Sequence, residues 1–113
     1  MAMRTAYQSA PLEIKLGKHY LNFKDFADIE ASIEDALSNN KQVILDFAQV
    51  REGVRSDFYG RLLAKIQNFY ATEAEAFDFL RHNLLLRFES KSSKAYEKLT
   101  QGFDMFFNVD FHK

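Results

Sequence analysis

The residues best suited to carry chemistry lie between positions 46 and 57, where an apolar run gives way to a polar loop and then to an amphipathic segment. Asp46 ends the apolar run. A carboxylate there either serves as a catalytic or phosphate-handling group or, more simply, accepts hydrogen bonds from backbone amides of the next loop. Ser56 falls where the next helix should be capped, with Asp57 in its first turn. A serine at such a junction is normally a cap, but a phosphate on it would add nearly two negative charges at an exposed site. Ser56 is therefore also a candidate phosphorylation site.

The remaining residue types give no pattern typical of a catalytic, metal or cofactor site. The three histidines, His19, His82 and His112, are far apart and have no partner at a helical ligand spacing. The chain has no Cys, which excludes disulfides, thiolate metal sites and cysteine nucleophiles. Neither a glycine-rich phosphate-binding motif nor a nucleophile elbow occurs. We therefore expect a protein that is not an enzyme, with no catalytic residues, no bound metal and no cofactor.

Length and composition narrow the class of protein further. At 113 residues the chain is one domain, and its net charge of −1 gives no bulk electrostatic drive towards nucleic acid or an anionic membrane. Many of the 12 Phe residues fall at core-periodic positions, where packing explains them better than stacking on nucleic acid does. No apolar run approaches a membrane span, and the N-terminus has no secretory signal. We expect a cytoplasmic protein that binds neither nucleic acid nor membranes and acts on another protein.

The elements that must position these side chains follow from the hydrophobic periodicity. Alternation over residues 12–16 and again over 19–23 predicts a β-hairpin. Apolar residues then recur at three- and four-residue steps with acidic residues on the other face, which predicts an amphipathic helix capped by Asn22 or Asp25. The later segments predict, in order, a strand at 43–47, a helix over 57–70, a short helix over 73–81 behind a capping box at Thr72, a strand at 84–88, a helix capped by Ser92 or Ser93, and a final strand within 105–111.

This order of elements, β-β-α-β-α-β-α-β with a short added helix at 71–83, predicts an α/β fold. We expect a single small sheet of four to five strands, with mixed parallel and antiparallel pairing and with helices packed on it. Residues 11–113 would form one domain and residues 1–10 a loose N-terminal arm. Functional crevices in such sheets lie beyond the carboxyl ends of the strands, so the loops at 49–56 and 89–93 are the expected functional edge.

Two segments of the chain resemble STAS-type domains, the modules of anti-sigma-factor antagonists and sulfate transporters, which include STAS-like domains of unknown function. The first runs from residue 43 to 63 and contains a hydrophobic strand, VILDFAQV, then GVRSDF, which opens a helix with paired leucines. The second runs from residue 84 to 109 and contains LLLRFES, a helix that ends in LTQGF, and a final strand, MFFNV. The resemblance spans about residues 12–110.

The resemblance implies a non-enzymatic regulatory module that docks on a protein partner, often a GHKL-type kinase or an anti-sigma factor, and is released when a serine is phosphorylated. The matching serine in this chain is Ser56, and the matching strand-end aspartate is Asp46. Arg55 and Asp57 stand where an Asp and a second Ser or Thr are usual, so a STAS-like scaffold without the switch is an alternative. On this hypothesis the partner binds the 49–56 loop and the exposed face of the helix over 57–70, and the candidate contact residues are Asp46, Arg51, Arg55, Asp57 and Tyr59.

A second hypothesis, from a different class, is a structural or neutralising interaction protein of the immunity or inhibitor type, without a phosphorylation switch. Its binding face would be the first helix, where five carboxylates cluster between residues 25 and 37. An enzyme that uses Asp46 has the least support, because no second catalytic group is identifiable. The apolar excess near the C-terminus also raises the hypothesis of a homodimer, formed through Phe103, Phe106, Phe107 and Phe111.

Overall fold

The structure, a computed structural model, describes residues 11–17 and 21–112 of the chain. The strands of this part form one sheet in the order β1-β2-β3-β4, and every neighbouring pair is parallel. The predicted α/β class is therefore confirmed, whereas the predicted mixed pairing is wrong. The arm expected at residues 1–10 lies outside the described residues. The elements are β1 (Leu12–Lys15), α1 (Phe23–Asn39), β2 (Val43–Asp46), α2 (Ser56–Phe69), α3 (Glu73–His82), β3 (Leu84–Phe88), α4 (Lys94–Leu99) and β4 (Val109–Phe111).

The wrong prediction of mixed pairing comes from residues 19–23, whose alternation indicates a strand paired back on β1. The first part of that segment lies outside the described residues. Leu21 forms an isolated parallel bridge with Val54, Asn22 occupies the N-cap of α1, and the helix begins at Phe23. A few alternating residues do not distinguish a strand from the extended segment that leads into a helix cap.

Local cap signals correctly predicted the start of three helices. Asn22 and Asp25 together form the capping box of α1. The Asn22 side chain accepts from backbone N–H groups of the first turn, and the Asp25 carboxylate accepts from the Asn22 N–H. Thr72 and Glu75 form the same box at α3, and Ser93 caps α4. Each cap satisfies amides that the helix itself leaves without a partner.

The strand order brings the helices together on one face of the sheet. Each crossover between parallel neighbours runs in the same direction, and right-handed crossovers then place all the helices on the same side. The core under them is aromatic. The Phe58 ring on α2 contacts both Phe26 on α1 and Phe47 after β2, and Phe47 stacks on Phe88 with ring centroids 4.8 Å apart. All four rings are fully buried, so these phenylalanines are packing residues, as their periodicity predicts.

The opposite face of the sheet carries charged side chains that pair with one another. Arg87 on β3 lies 3.0 Å from the Asp110 carboxylate on β4 and 3.8 Å from the Glu13 carboxylate on β1. The hydrogen bond from Arg87 holds the pKa of Asp110 below its ordinary value. Ion pairs therefore join three of the four strands on the face that the helices do not cover.

The two ends of the parallel strands present different surfaces. The carboxyl ends lead into the loop of residues 47–55 and the start of α2, and into the loop that precedes α4. The amino ends receive the chain from α3 and from residues 105–108. The first of these ends is the functional edge that the sequence predicts.

Candidate functional site

The loop of residues 47–55, between β2 and α2, is held in a fixed shape. Val54 is only 1% exposed, so the loop is anchored in the core. The Leu21 N–H donates to the Gly53 carbonyl at 3.1 Å, and the Arg55 N–H donates to the Leu21 carbonyl at 2.8 Å. Gly53 has a φ of 114°, which a glycine adopts without strain. The end of the loop is therefore held against the rest of the protein by the burial of Val54 and by two backbone hydrogen bonds to Leu21.

Ser56 is exposed as the first residue of α2, but it is not the helix cap. Arg55 holds the N-cap position with an extended backbone, at φ −80° and ψ 150°, and in the described structure its side chain makes no cap hydrogen bond. The prediction that Ser56 caps the helix is therefore wrong by one residue. Because a cap side chain acts from the position before the helix, the Ser56 hydroxyl is not required to satisfy the first-turn amides.

Charged side chains flank Ser56 on both sides along the chain. Arg55 Nε lies 3.4 Å from Asp57 Oδ2, and the two side chains are 59% and 37% exposed. Arg51 and Glu52 are exposed on the preceding loop. The structure thus brings Arg55, Ser56 and Asp57 together and places Arg51 on the same loop. Because the sequence predicts that a partner docks here, we call the set Arg51, Glu52, Arg55, Ser56 and Asp57 the docking surface.

Asp46, the strand-end aspartate, is 5% exposed, and its side chain makes two polar contacts among the described residues. Its Oδ1 accepts a hydrogen bond from the Ala48 N–H at 2.9 Å and lies 3.2 Å from His112 Nε2. The first contact confirms the interpretation of Asp46 as a side chain that orders the next loop. Asp46 therefore supports the docking surface and does not form part of it.

The pairing of Asp46 with His112 is a feature that sequence reasoning missed. The two residues are 66 positions apart, so no local motif connects them. The parallel registers of β2 with β3 and of β3 with β4 bring their strand ends side by side. The strand order β2-β3-β4 would have indicated this contact, because it places positions 46 and 112 at the same edge of the sheet, two strands apart.

Tyr59 lies in the core and not on the docking surface. Its side chain is fully buried, so it cannot contact a partner in this fold. The hydroxyl donates to the Ala95 carbonyl on α4 at 2.6 Å, and the ring lies against Phe47 and Phe103. Burial raises the pKa of Tyr59 above its ordinary value. Its place on the apolar stripe of α2, next to Phe58, was the signal for this role.

The acidic face of α1, which the second hypothesis uses, is largely paired within the molecule. Lys65 on α2 lies 3.0 Å from Glu30 and also contacts Glu34, and Lys41 lies 2.8 Å from Asp35. Hydrogen bonds from these lysines lower the pKa of Glu30 and of Asp35. A further carboxylate belongs to the capping box of α1. Most of this acidic cluster therefore joins α1 to α2 or stabilises the ends of α1.

Comparison with known proteins gives no relative from which a function could be transferred. No family model matches the chain, and no curated protein or solved structure matches it. Within residues 11–17 and 21–112, no group of three or more His, Asp or Glu side chains is arranged to hold a metal ion. In the same part of the chain, no helix has the length and apolar character needed to cross a membrane.

Proposed function

We propose that this chain is a non-enzymatic regulatory module of the STAS-like kind, which binds a protein partner through the docking surface and is switched by phosphorylation of Ser56. One observation supports this proposal above the others. An exposed serine, with an arginine directly before it, begins the 14-residue helix α2 and follows a loop whose shape is fixed by buried residues. A surface that is ordered before binding loses less conformational entropy when a partner docks. The partner that fits the resemblance is a GHKL-type kinase or an anti-sigma factor.

Phosphorylation of Ser56 would change the charge of the docking surface while α2 stays folded. The docking surface contains two basic and two acidic side chains, which sum to zero. A phosphoryl group adds nearly two negative charges, and it does so at the N-terminal turn of a helix, where the helix dipole favours an anion. A partner that fits a neutral surface would then meet a strongly negative one.

Arg55 supplies the local rearrangement that such a switch needs. In the unmodified chain its guanidinium lies 3.4 Å from the Asp57 carboxylate. Arginine forms charge-assisted, often bidentate, hydrogen bonds to phosphate as it does to carboxylate, so a phosphate on Ser56 would compete with Asp57 for the same guanidinium. The side chains before and after Ser56 would therefore both change their contacts.

The hypothesis of a neutralising protein that binds through α1 has less support. Its motivation is the acidic face of that helix, but Glu30, Glu34 and Asp35 already contact lysines of the same chain. A basic partner would have to displace those lysines before it could use the carboxylates. Asp28 is an exposed carboxylate of α1 that remains available.

The proposed function is tested by quantitative capture of partners on immobilised full-length chain. Ser56→Glu adds a negative charge within the docking surface, and Gln67→Glu adds the same charge near the far end of α2 as a matched control. We expect Ser56→Glu to reduce capture of a specific partner at least about tenfold, whereas Gln67→Glu leaves it unchanged. Equal capture of the same partners by the wild type and by Ser56→Glu would rule out the switch.

A further inference from the structure

A second surface lies at the amino ends of the strands, whereas the docking surface lies at their carboxyl ends. It is a groove of about 320 Å³ between the end of α3 and the segment that leads into β4. We call it the aromatic groove. It is lined by Phe77, Arg81, Met105, Phe106, Phe107 and Asn108.

The aromatic groove offers a preformed apolar floor. The Phe77 and Phe106 rings are half-buried and stacked, with an interplanar angle of 1° and centroids 6.4 Å apart. Phe107, which is 7% exposed, lines the groove and also belongs to the hydrophobic core. Met105 on the rim is 81% exposed, the largest exposure among the large apolar side chains of the described residues. Phe, Met and Arg are the side chains that protein interfaces favour, and methionine adapts its shape to different apolar partners.

Arg81 gives the aromatic groove a single charge. It is exposed, in the last turn of α3, and it is the one charged residue of the lining. Arg55, Arg61 and Arg87 each contact a carboxylate of the chain, whereas Arg81 forms no ion pair with any residue in the described ranges. The groove is therefore complementary to a group that is apolar at one end and anionic at the other.

We propose that the aromatic groove binds a short acidic-aromatic segment of a partner protein, with an apolar side chain seated between the Phe77 and Phe106 rings and Met105, and a neighbouring carboxylate paired with Arg81. The volume lies at the low end of the range for small-molecule sites and suits one large side chain. The geometry of an arginine beside stacked rings selects an Asp or Glu next to an aromatic or large aliphatic residue.

This inference does not depend on the proposed function of the docking surface. The two surfaces lie at opposite ends of the strands and share no residue. Together they would allow the chain to hold one protein at each end of its sheet. A substitution at Ser56 should therefore leave binding to the aromatic groove unchanged.

The first test selects binders from a random-peptide display library on the full-length chain. We expect the enriched peptides to share an aromatic or large aliphatic residue beside Asp or Glu. Amide chemical shifts in the presence of the best synthetic peptide should change at residues 77–81 and 105–108. A library without enrichment, or enrichment of basic peptides, would overturn the proposal.

The second test measures the affinity of that synthetic peptide by fluorescence anisotropy. We expect Arg81→Gln to weaken binding at least about tenfold and Met105→Gln to weaken it several-fold, since both side chains are exposed and the fold does not depend on them. Lys91→Gln removes an exposed charge elsewhere and should have no effect. Equal affinity of Arg81→Gln and wild type would refute the ion pair.

Two further outcomes would also count against a peptide site. If 3-phenylpropionate displaces the peptide and binds as tightly as it does, the aromatic groove is a small-ligand site. If amide shifts at residues 105–108 depend on protein concentration without added peptide, the occupant is a second copy of the chain.

Discussion

Removal of the Ser56 hydroxyl should leave the stability of the protein almost unchanged, although the residue begins a long helix. The perturbation is Ser56→Ala, compared with Thr72→Ala and Ser93→Ala, which remove true caps. The Thr72 side chain accepts from the Glu75 amide at 3.2 Å, and the Ser93 side chain accepts from the Tyr96 amide at 3.2 Å. In α2 the cap position belongs to Arg55, whose side chain makes no such bond in the described structure.

The expected magnitudes follow from these contacts. Loss of a hydrogen-bonding N-cap typically lowers the free energy of unfolding by about 1 kcal/mol. We expect that loss for Thr72→Ala and Ser93→Ala, and a change within about 0.5 kcal/mol for Ser56→Ala, as for other exposed sites. The reverse change, Arg55→Ser, supplies the missing cap. It should raise the free energy of unfolding by up to about 1 kcal/mol, less the small contribution of the exposed ion pair with Asp57.

The measurement is urea denaturation followed by far-ultraviolet circular dichroism, with all variants fitted to a common slope. Ser56→Ala should have the midpoint of the wild type, and Thr72→Ala a clearly lower one. A destabilisation by Ser56→Ala as large as that by Thr72→Ala would refute the reasoning, because Ser56 would then be a cap after all. If the result is as expected, the hydroxyl has no structural duty and is free to be modified.

Two further predictions concern the buried Tyr59 hydroxyl and the ion pair between β3 and β4. Tyr59→Phe removes the buried hydrogen bond from the Tyr59 hydroxyl to the Ala95 carbonyl, so we expect urea denaturation to show a loss of about 1 kcal/mol in the free energy of unfolding. Asp110→Asn removes a carboxylate whose pKa Arg87 holds below its ordinary value. A carboxylate with a lowered folded-state pKa stabilises the protein above its unfolded-state pKa, and that stabilisation is lost as the pH falls through the folded-state value. The difference in unfolding free energy between wild type and Asp110→Asn should therefore be largest near neutral pH and shrink below about pH 4. A difference that grows on acidification would contradict the lowered pKa of Asp110.

The sequence predicted the features that short-range physics determines. Apolar residues at helical spacing located α1 and α2, and the cap candidate Asn22 and the capping box at Thr72 located two helix starts. The predictions failed where a distant partner decides the structure. Leu21 is extended because it pairs with the loop at Val54, and no residue near it in the chain reveals that pairing.

The candidate site shows the same division. That Ser56 would be exposed at the start of a helix was predictable, because the polar loop and the apolar stripe of α2 are adjacent in the chain. The burial of Tyr59 depends on α4, which supplies the acceptor at Ala95, and the partner of Asp46 comes from the end of β4. The alternation of strands and helices indicates parallel pairing, and the antiparallel pair in the prediction came from the alternating residues 19–23 alone. The final strand is shorter than its apolar run, because residues 105–107 form a turn before β4 begins.

The strand order of this sheet, which follows the chain order without exception among the described strands, makes the fold open-ended. Each strand pairs with its neighbours in sequence, so the sheet resembles a short stretch of a repetitive array more than a closed architecture. Another strand-helix unit could extend it beyond β1 or β4 without changing any existing pair. The same order confines every strand pairing to elements that follow one another in the chain, which limits the loop-closure entropy that each pairing costs.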